Sequence, residues 1–131
     1  MNYEAATAAM RAYFAGFIGA TPVAYDDMPF DVPNALWVRF NVSHADGYQS
    51  SIGAPTANRF RRDGLIVAQV FQPSGKASKE ARQKADQIVA NYLNVAGTIH
   101  YYDVQAREIG DDGAGWYQIN VLIYFRYDHI A

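Results

Sequence analysis

Apolar positions recur at three- and four-residue steps near the start of the chain, at Tyr3, Ala6, Met10, Tyr13, Phe14, Phe17 and Ile18. One stripe of that period predicts an amphipathic helix. Asn2 is placed to cap its first turn, and Gly19 and Pro22 end it. A short extended piece, Thr21 to Tyr25, leads into a turn-rich linker, Asp26-Asp27-Met28-Pro29-Phe30-Asp31-Val32-Pro33-Asn34. From Leu36 to Val42 the pattern changes to strict alternation, with Leu36, Val38, Phe40 and Val42 on one face and Trp37, Arg39 and Asn41 on the other. This is a strand with one buried face. Residues 43–57 are Ser-, Ala- and Gly-rich without a period and read as an exposed loop, longer than compact domains normally carry.

Beyond the loop, Arg59 to Arg62 predicts a short strand, Asp63-Gly64 a hairpin-type turn and Leu65 to Phe71 a strong strand. Pro73-Ser74-Gly75 stops that strand. A second helix over about 76–93 follows from the stripe Ala77, Ala81, Ala85, Ile88, Tyr92 and Leu93, with Asn94 as its stop. Thr98 to Arg107 is strand-like, 111–115 is a turn, and Trp116 to Tyr127 is the longest strand. Tyr117, Ile119, Val121, Ile123 and Phe125 share one face of it, while Gln118 and Asn120 give way to Leu122 and Tyr124 on the other. The second half is thus apolar on both faces. Either a neighbouring subunit or the first helix must cover the outer one. The expected fold is α+β, a mainly antiparallel sheet of about four to five strands packed by two helices.

Composition narrows the class. A chain of 131 residues is one domain by default, spanning 1–131. Hydrophobic residues are 50% and charged residues 18%, which excludes a disordered or charge-solvated module. Aromatics reach 15%, more than one small domain is expected to hide, so part of that surface is assigned to an interface. A formal net charge of -2 argues against a strongly basic nucleic-acid binder. No cysteine is present, which removes disulfides, thiolate metal sites and a cysteine nucleophile. The N-terminal segment is not patterned as a signal peptide, and no run approaches the roughly 18 apolar residues of a membrane span. Synthesis in the cytosol and no membrane partner are the expectations. Asn41-Val42-Ser43 matches the glycosylation triplet by chance.

Candidate chemistry is sparse. His44, His100 and His129 stand at no metal-ligand spacing, although His44 could titrate with Asp46. Asp26, Asp27 and Asp31 form an acidic cluster without the spacing of a calcium loop. Asp111-Asp112-Gly113 reads as a hairpin turn. No phosphate-binding glycine loop or nucleophile elbow occurs. Arg59-Phe60-Arg61-Arg62 is the one basic concentration, suited to a partner protein's carboxylates or, less well in an acidic chain, to a phosphate backbone. No catalytic residue, metal or cofactor is expected.

Taken in order, Thr21-Pro22-Val23-Ala24-Tyr25-Asp26-Asp27, Trp37-Val38-Arg39-Phe40, Arg62-Asp63-Gly64-Leu65 and Gln69-Val70-Phe71-Gln72-Pro73-Ser74-Gly75 resemble the tail terminator proteins of tailed bacteriophages. Ala85-Asp86-Gln87-Ile88, Gly115-Trp116-Tyr117-Gln118-Ile119-Asn120-Val121 and Tyr127-Asp128 continue the likeness over nearly the whole chain. The resemblance implies a structural virion tail protein of a phage, prophage or gene transfer agent. Such a protein forms a homo-hexameric ring, stops tail-tube growth on the tube protein and joins the tail to a head-side connector or stopper. DNA would be only transient cargo in its lumen.

On that reading exposed Trp37, Trp116 and Tyr124 would anchor contacts, and Arg39, Arg59, Arg61 and Arg62 would supply charged pairing. Tyr48, in loop 43–57, is a further interface candidate, and Asp26, Asp27 and Asp46 would keep a lumen from holding DNA. Another small tail or neck protein, a completion factor or tube subunit, is a close variant. A small-molecule-binding α+β domain is the different-class alternative, and it would gather Tyr and Trp around a pocket between sheet and helices.

Overall fold

In the computed structural model, residues 2–45, 48–49, 59–75, 78–93 and 95–130 are described, without the side chains of Tyr48, Gln49, Arg59 and Ile130. Helix α1 spans Tyr3–Ile18, capped by Asn2, whose Oδ1 accepts from the Ala5 N–H at 2.8 Å. It buries Ala6, Met10, Phe14 and Ile18 and ends at Gly19, whose φ of 74° suits a residue without a β-carbon. Tyr3, included in the expected stripe, is exposed instead.

Strand β1, Val23–Tyr25, runs parallel to β2, Trp37–His44, with Val23 opposite Val38 and Tyr25 opposite Phe40. β3, Tyr48–Gln49, is short. β4 runs unbroken from Arg59 to Pro73, so the turn expected at Asp63-Gly64 is absent. One edge of β4 pairs antiparallel with β2 and, at Phe60 and Arg61, with β3. Its other edge pairs along its full length with β6, Trp116–Ile130. Gly64 continues the ladder because of what faces it. A β-carbon there would lie 2.4 Å from Phe125 Cζ and 2.5 Å from the Ser43 carbonyl oxygen. The glycine makes room for a ring; it does not make a turn.

β5, His100–Asp111, is paired among the described residues with β6 alone and carries irregularities at Tyr101/Asp103 and Glu108/Gly110. The sheet order is β1-β2-β4-β6-β5. Part of the expected loop 43–57 is therefore strand, at Ser43, His44 and Tyr48–Gln49, and apart from Ala45 the rest of it, Asp46 included, lies outside the described residues.

Helix α2, Lys79–Tyr92, begins later than expected. Ser78 precedes it at φ 58° and its side chain caps nothing. Gln72, fully buried in β4, supplies the missing acceptor, its Oε1 taking the Ala81 N–H at 2.7 Å. Ala81, Ala85, Ile88 and Tyr92 are buried as the stripe requires, but Leu93 has left the helical conformation and is exposed. The expected positions Ala77 and Asn94 fall outside the described residues.

Both helices lie on one face of the sheet. Ala6, Met10, Phe14 and Ile18 of α1, with the buried side of α2, pack on Val38, Phe40, Ile66, Val70, Ile119, Val121, Ile123 and Phe125. Aromatic rings knit this layer together: Phe14 and Phe40 stand 4.6 Å apart, Tyr13 and Tyr92 5.3 Å, Tyr92 and Tyr101 4.9 Å. Tyr13 also donates its hydroxyl to the Asn91 carbonyl.

Candidate functional site

The face of the sheet turned away from the helices is where the chain's unspent surface lies. In register across it run Asn41, Val67, Leu122 and Gln105, then Ser43, Leu65, Tyr124 and Asp103, then Arg39, Gln69, Asn120 and Arg107. None of these side chains is fully buried. Leu65, Val67, Leu122 and Tyr124 make an apolar centre with a polar surround. Helix α1 packs on the other face, so of the two covers expected for Leu122 and Tyr124, a neighbouring subunit or the first helix, the helix is ruled out.

Trp37 is on this outer face but is not an exposed anchor, being only 4% exposed. It stacks on Phe71 at 4.4 Å, meets Phe30 at 5.1 Å and touches Trp116 edge-on at 6.2 Å. With Ala24 these side chains form a small second core. Alternation placed Trp37 correctly on the face opposite Val38, but Phe30 of the 26–36 linker folds back over it and removes it from solvent. Arg39 lies over both rings, 5.5 Å from Trp37 and 5.9 Å from Phe71. Trp116 is half-buried at the margin of this cluster.

The remaining candidates do not converge. Arg61 reaches across to its ladder partner, Nε donating to Asp128 Oδ1 at 3.2 Å. Arg62, its neighbour in an alternating strand, projects to the opposite face and lies 5.9 Å from the Phe60 ring. The basic run is therefore split between two faces. Arg59 and Tyr48 are placed in β4 and β3 by their backbones alone. Tyr124 is half-buried on the outer face, 6.2 Å from the ring of Tyr102. Sequence reasoning passed over Tyr102 and Arg107, because β5 was read only as strand-like and its bulge at Tyr102 follows no period, and over Arg126 of β6, whose ring partner is that Tyr102.

A cleft of about 510 Å³ is lined by Asn2, Tyr3, His44, Ala45, Arg62, Tyr127 and His129. Its described lining holds no carboxylate, serine or cysteine. The rings of His44 and Tyr3 lie 3.9 Å apart, tilted by 31°, and among the described residues neither ring nitrogen of His44 has a hydrogen-bond partner. Burial holds its pKa below the ordinary 6.5. Burial also raises the phenol pKa of Tyr92, and that of Tyr101 to about 12, which marks this ring layer as neutral packing.

Asp26 is engaged locally, Oδ2 accepting from the Val42 N–H and its carbonyl from Arg11, each at 3.3 Å. Asp111 and Asp112 cap the β5–β6 turn by accepting from the Gly113 and Ala114 N–H groups at 2.8 and 2.7 Å. Among the described residues no three histidines or carboxylates stand close enough to hold a metal ion. No described helix is long and apolar enough to cross a membrane.

Solved structures share this architecture. One superposes with a TM-score of 0.70 at 19% identity, covering 98% of this chain and 95% of that one, a likeness of fold alone. No curated protein matches. The family described as "Phage tail terminator protein" matches residues 5–125, which takes in both helices and nearly the whole sheet. The chain belongs to the phage tail terminator family, and its role is that of a structural component of a phage tail.

Proposed function

We propose that six copies of the chain assemble as a ring on the last ring of the tail tube, end its elongation and offer their far surface to a head-side connector or stopper, without catalysing a reaction. The family match over residues 5–125 carries this reading. A subunit with two unlike flanks makes head-to-tail contacts, which close into a ring when the rotation between neighbours permits. The outer sheet face supports such a use, since Leu65, Val67, Leu122 and Tyr124 remain partly open in the isolated chain. Docking on the tube end would cover the surface on which another tube ring adds, and growth would stop there. A formal net charge of -2 suits a lumen through which DNA passes without being held.

A tube-growth assay tests the reading. Tail-tube protein is polymerised from an initiating complex with and without this chain, and tube lengths are measured by electron microscopy. The proposal expects elongation to cease on addition of stoichiometric chain, with a pored disc at the growing end. Continued elongation at saturating chain would end it.

A further inference from the structure

The cleft of about 510 Å³ lies where the start of α1 meets the inward face of β2, β4 and β6. Each strand brings one polar side chain to it. His44 of β2 stands opposite Gly64 of β4, Arg62 is the next inward-facing residue along β4, and Tyr127 of β6 stands opposite Arg62. His129 follows on β6, and Asn2 and Tyr3 supply the helix side.

These three side chains hold bonding capacity that the chain leaves unused. Tyr127 is only 3% exposed, yet its hydroxyl makes no hydrogen bond among the described residues. Half-buried Arg62 has no ion-pair partner among them either, and its guanidinium lies 5.9 Å from the Phe60 ring. Burial raises the phenol pKa of Tyr127 and the Arg62 charge partly offsets the rise, so the guanidinium acts at the hydroxyl. The His44 nitrogens are unbonded beneath Tyr3, a surface side chain free to change rotamer. No carboxylate competes for this corner among the described lining. Asp63 and Asp128 project from the other face of the sheet, Asp128 held by Arg61, and exposed Glu4 lies outside the lining.

We infer that this cleft binds a terminal phosphate group, free or carried on a monoester. The Arg62 guanidinium and the Tyr127 hydroxyl donate to its oxygens, and the His44 N–H joins them once Tyr3 turns aside. Arginine offers donors alone, so the missing partner is an acceptor, and the uncompensated guanidinium selects a charged one. Donors from three strands approach from three directions. A terminal phosphate presents three oxygens to them, whereas a carboxylate or a phosphodiester presents two. Helix α1 adds the positive end of its dipole, through the first-turn residues that line the cleft. The volume is that of a small-molecule site and leaves room for the alcohol of a monoester. None of this requires a ring, so the site stands or falls apart from that reading.

Calorimetric titration of the full chain with sodium phosphate and with thymidine monophosphate, at constant ionic strength, measures the binding. Nuclear magnetic resonance of the histidine ring protons locates it. Saturable binding of phosphate is expected. A tighter monoester identifies the monoester as the ligand, and a weaker one identifies free phosphate. Bound phosphate should move the ring-proton titration of His44 to higher pH, with no phosphate-dependent change at His100, exposed on β5. Arg62→Gln should weaken binding by about tenfold or more and Tyr127→Phe, which keeps the ring, by about threefold. Arg126→Gln removes the same charge from the outer face and should leave binding unchanged, with circular dichroism as the fold control throughout. No saturable binding, equal binding by Arg62→Gln and the unmodified chain, or equal movement of His44 and His100 would overturn the site. So would acetate, or a DNA duplex without terminal phosphates, binding as tightly as phosphate.

Discussion

Gly64→Ala adds one carbon where β2, β4 and β6 come together. Its β-carbon would lie 2.4 Å from Phe125 Cζ and 2.5 Å from the Ser43 carbonyl oxygen. Carbon atoms in contact keep ~3.5 Å, so both approaches are short by about an ångström. The Phe125 ring is boxed in, with Tyr127 stacked at 6.1 Å and His44 edge-on at 5.5 Å. The Ser43 oxygen is backbone and moves only with its strand. Overpacking of this kind costs about 1–3 kcal/mol and occasionally more. With two rigid obstacles the upper figure applies, and ~3 kcal/mol lowers the Tm of a domain this size by about 10 °C. Urea denaturation followed by the fluorescence of Trp37 and Trp116 measures the loss, with an unchanged m-value expected. In a Phe125→Leu background the ring obstacle is gone and the backbone one stays, so the penalty should shrink without vanishing. A loss under ~0.5 kcal/mol, within the usual range of surface substitutions, would refute the claim that Gly64 is there to admit the ring.

Three further outcomes follow from other parts of the fold. Gln72→Leu strips the Ala81 N–H of its buried acceptor and should cost about 1–3 kcal/mol, with faster amide exchange at the start of α2. Trp37→Ala removes the stack on Phe71 and the lid contact with Phe30 and should cost the isolated chain about 3–5 kcal/mol, whereas a solvent-exposed interface anchor would leave urea stability unchanged. For His44 the folded pKa lies below 6.5, so as pH falls the unfolded chain takes up the proton first. The stability His44 contributes is full above pH 6.5 and is lost as pH drops through the folded value. Urea midpoints from pH 8 to pH 5 should therefore fall more steeply for the unmodified chain than for His44→Gln.

Helix α1, β2 and β6 were legible in the sequence because their cores repeat at the periods of their own backbones. Asn2 and Gly19 added chemistry at the helix ends that has a local cause. Gly64 misled for the opposite reason. Asp-Gly is a turn signal locally, but Phe125, far along the chain, decides that the glycine belongs in a strand. Trp37 shows the same limit at the site: alternation assigns a side chain to a face, and whether that face is wet depends on Phe30 folding back from the linker. The outer sheet face was anticipated from Leu122 and Tyr124. Its arginine-flanked edge at Tyr102 was not, since exposure on an edge strand depends on which strands pair and leaves no periodic trace.

A reconstruction of the head-proximal end of the tail tests the central claim most directly. The account predicts a ring of copies around a pore, seated on the last tube ring. An isolated globule touching neither tube nor connector would contradict it.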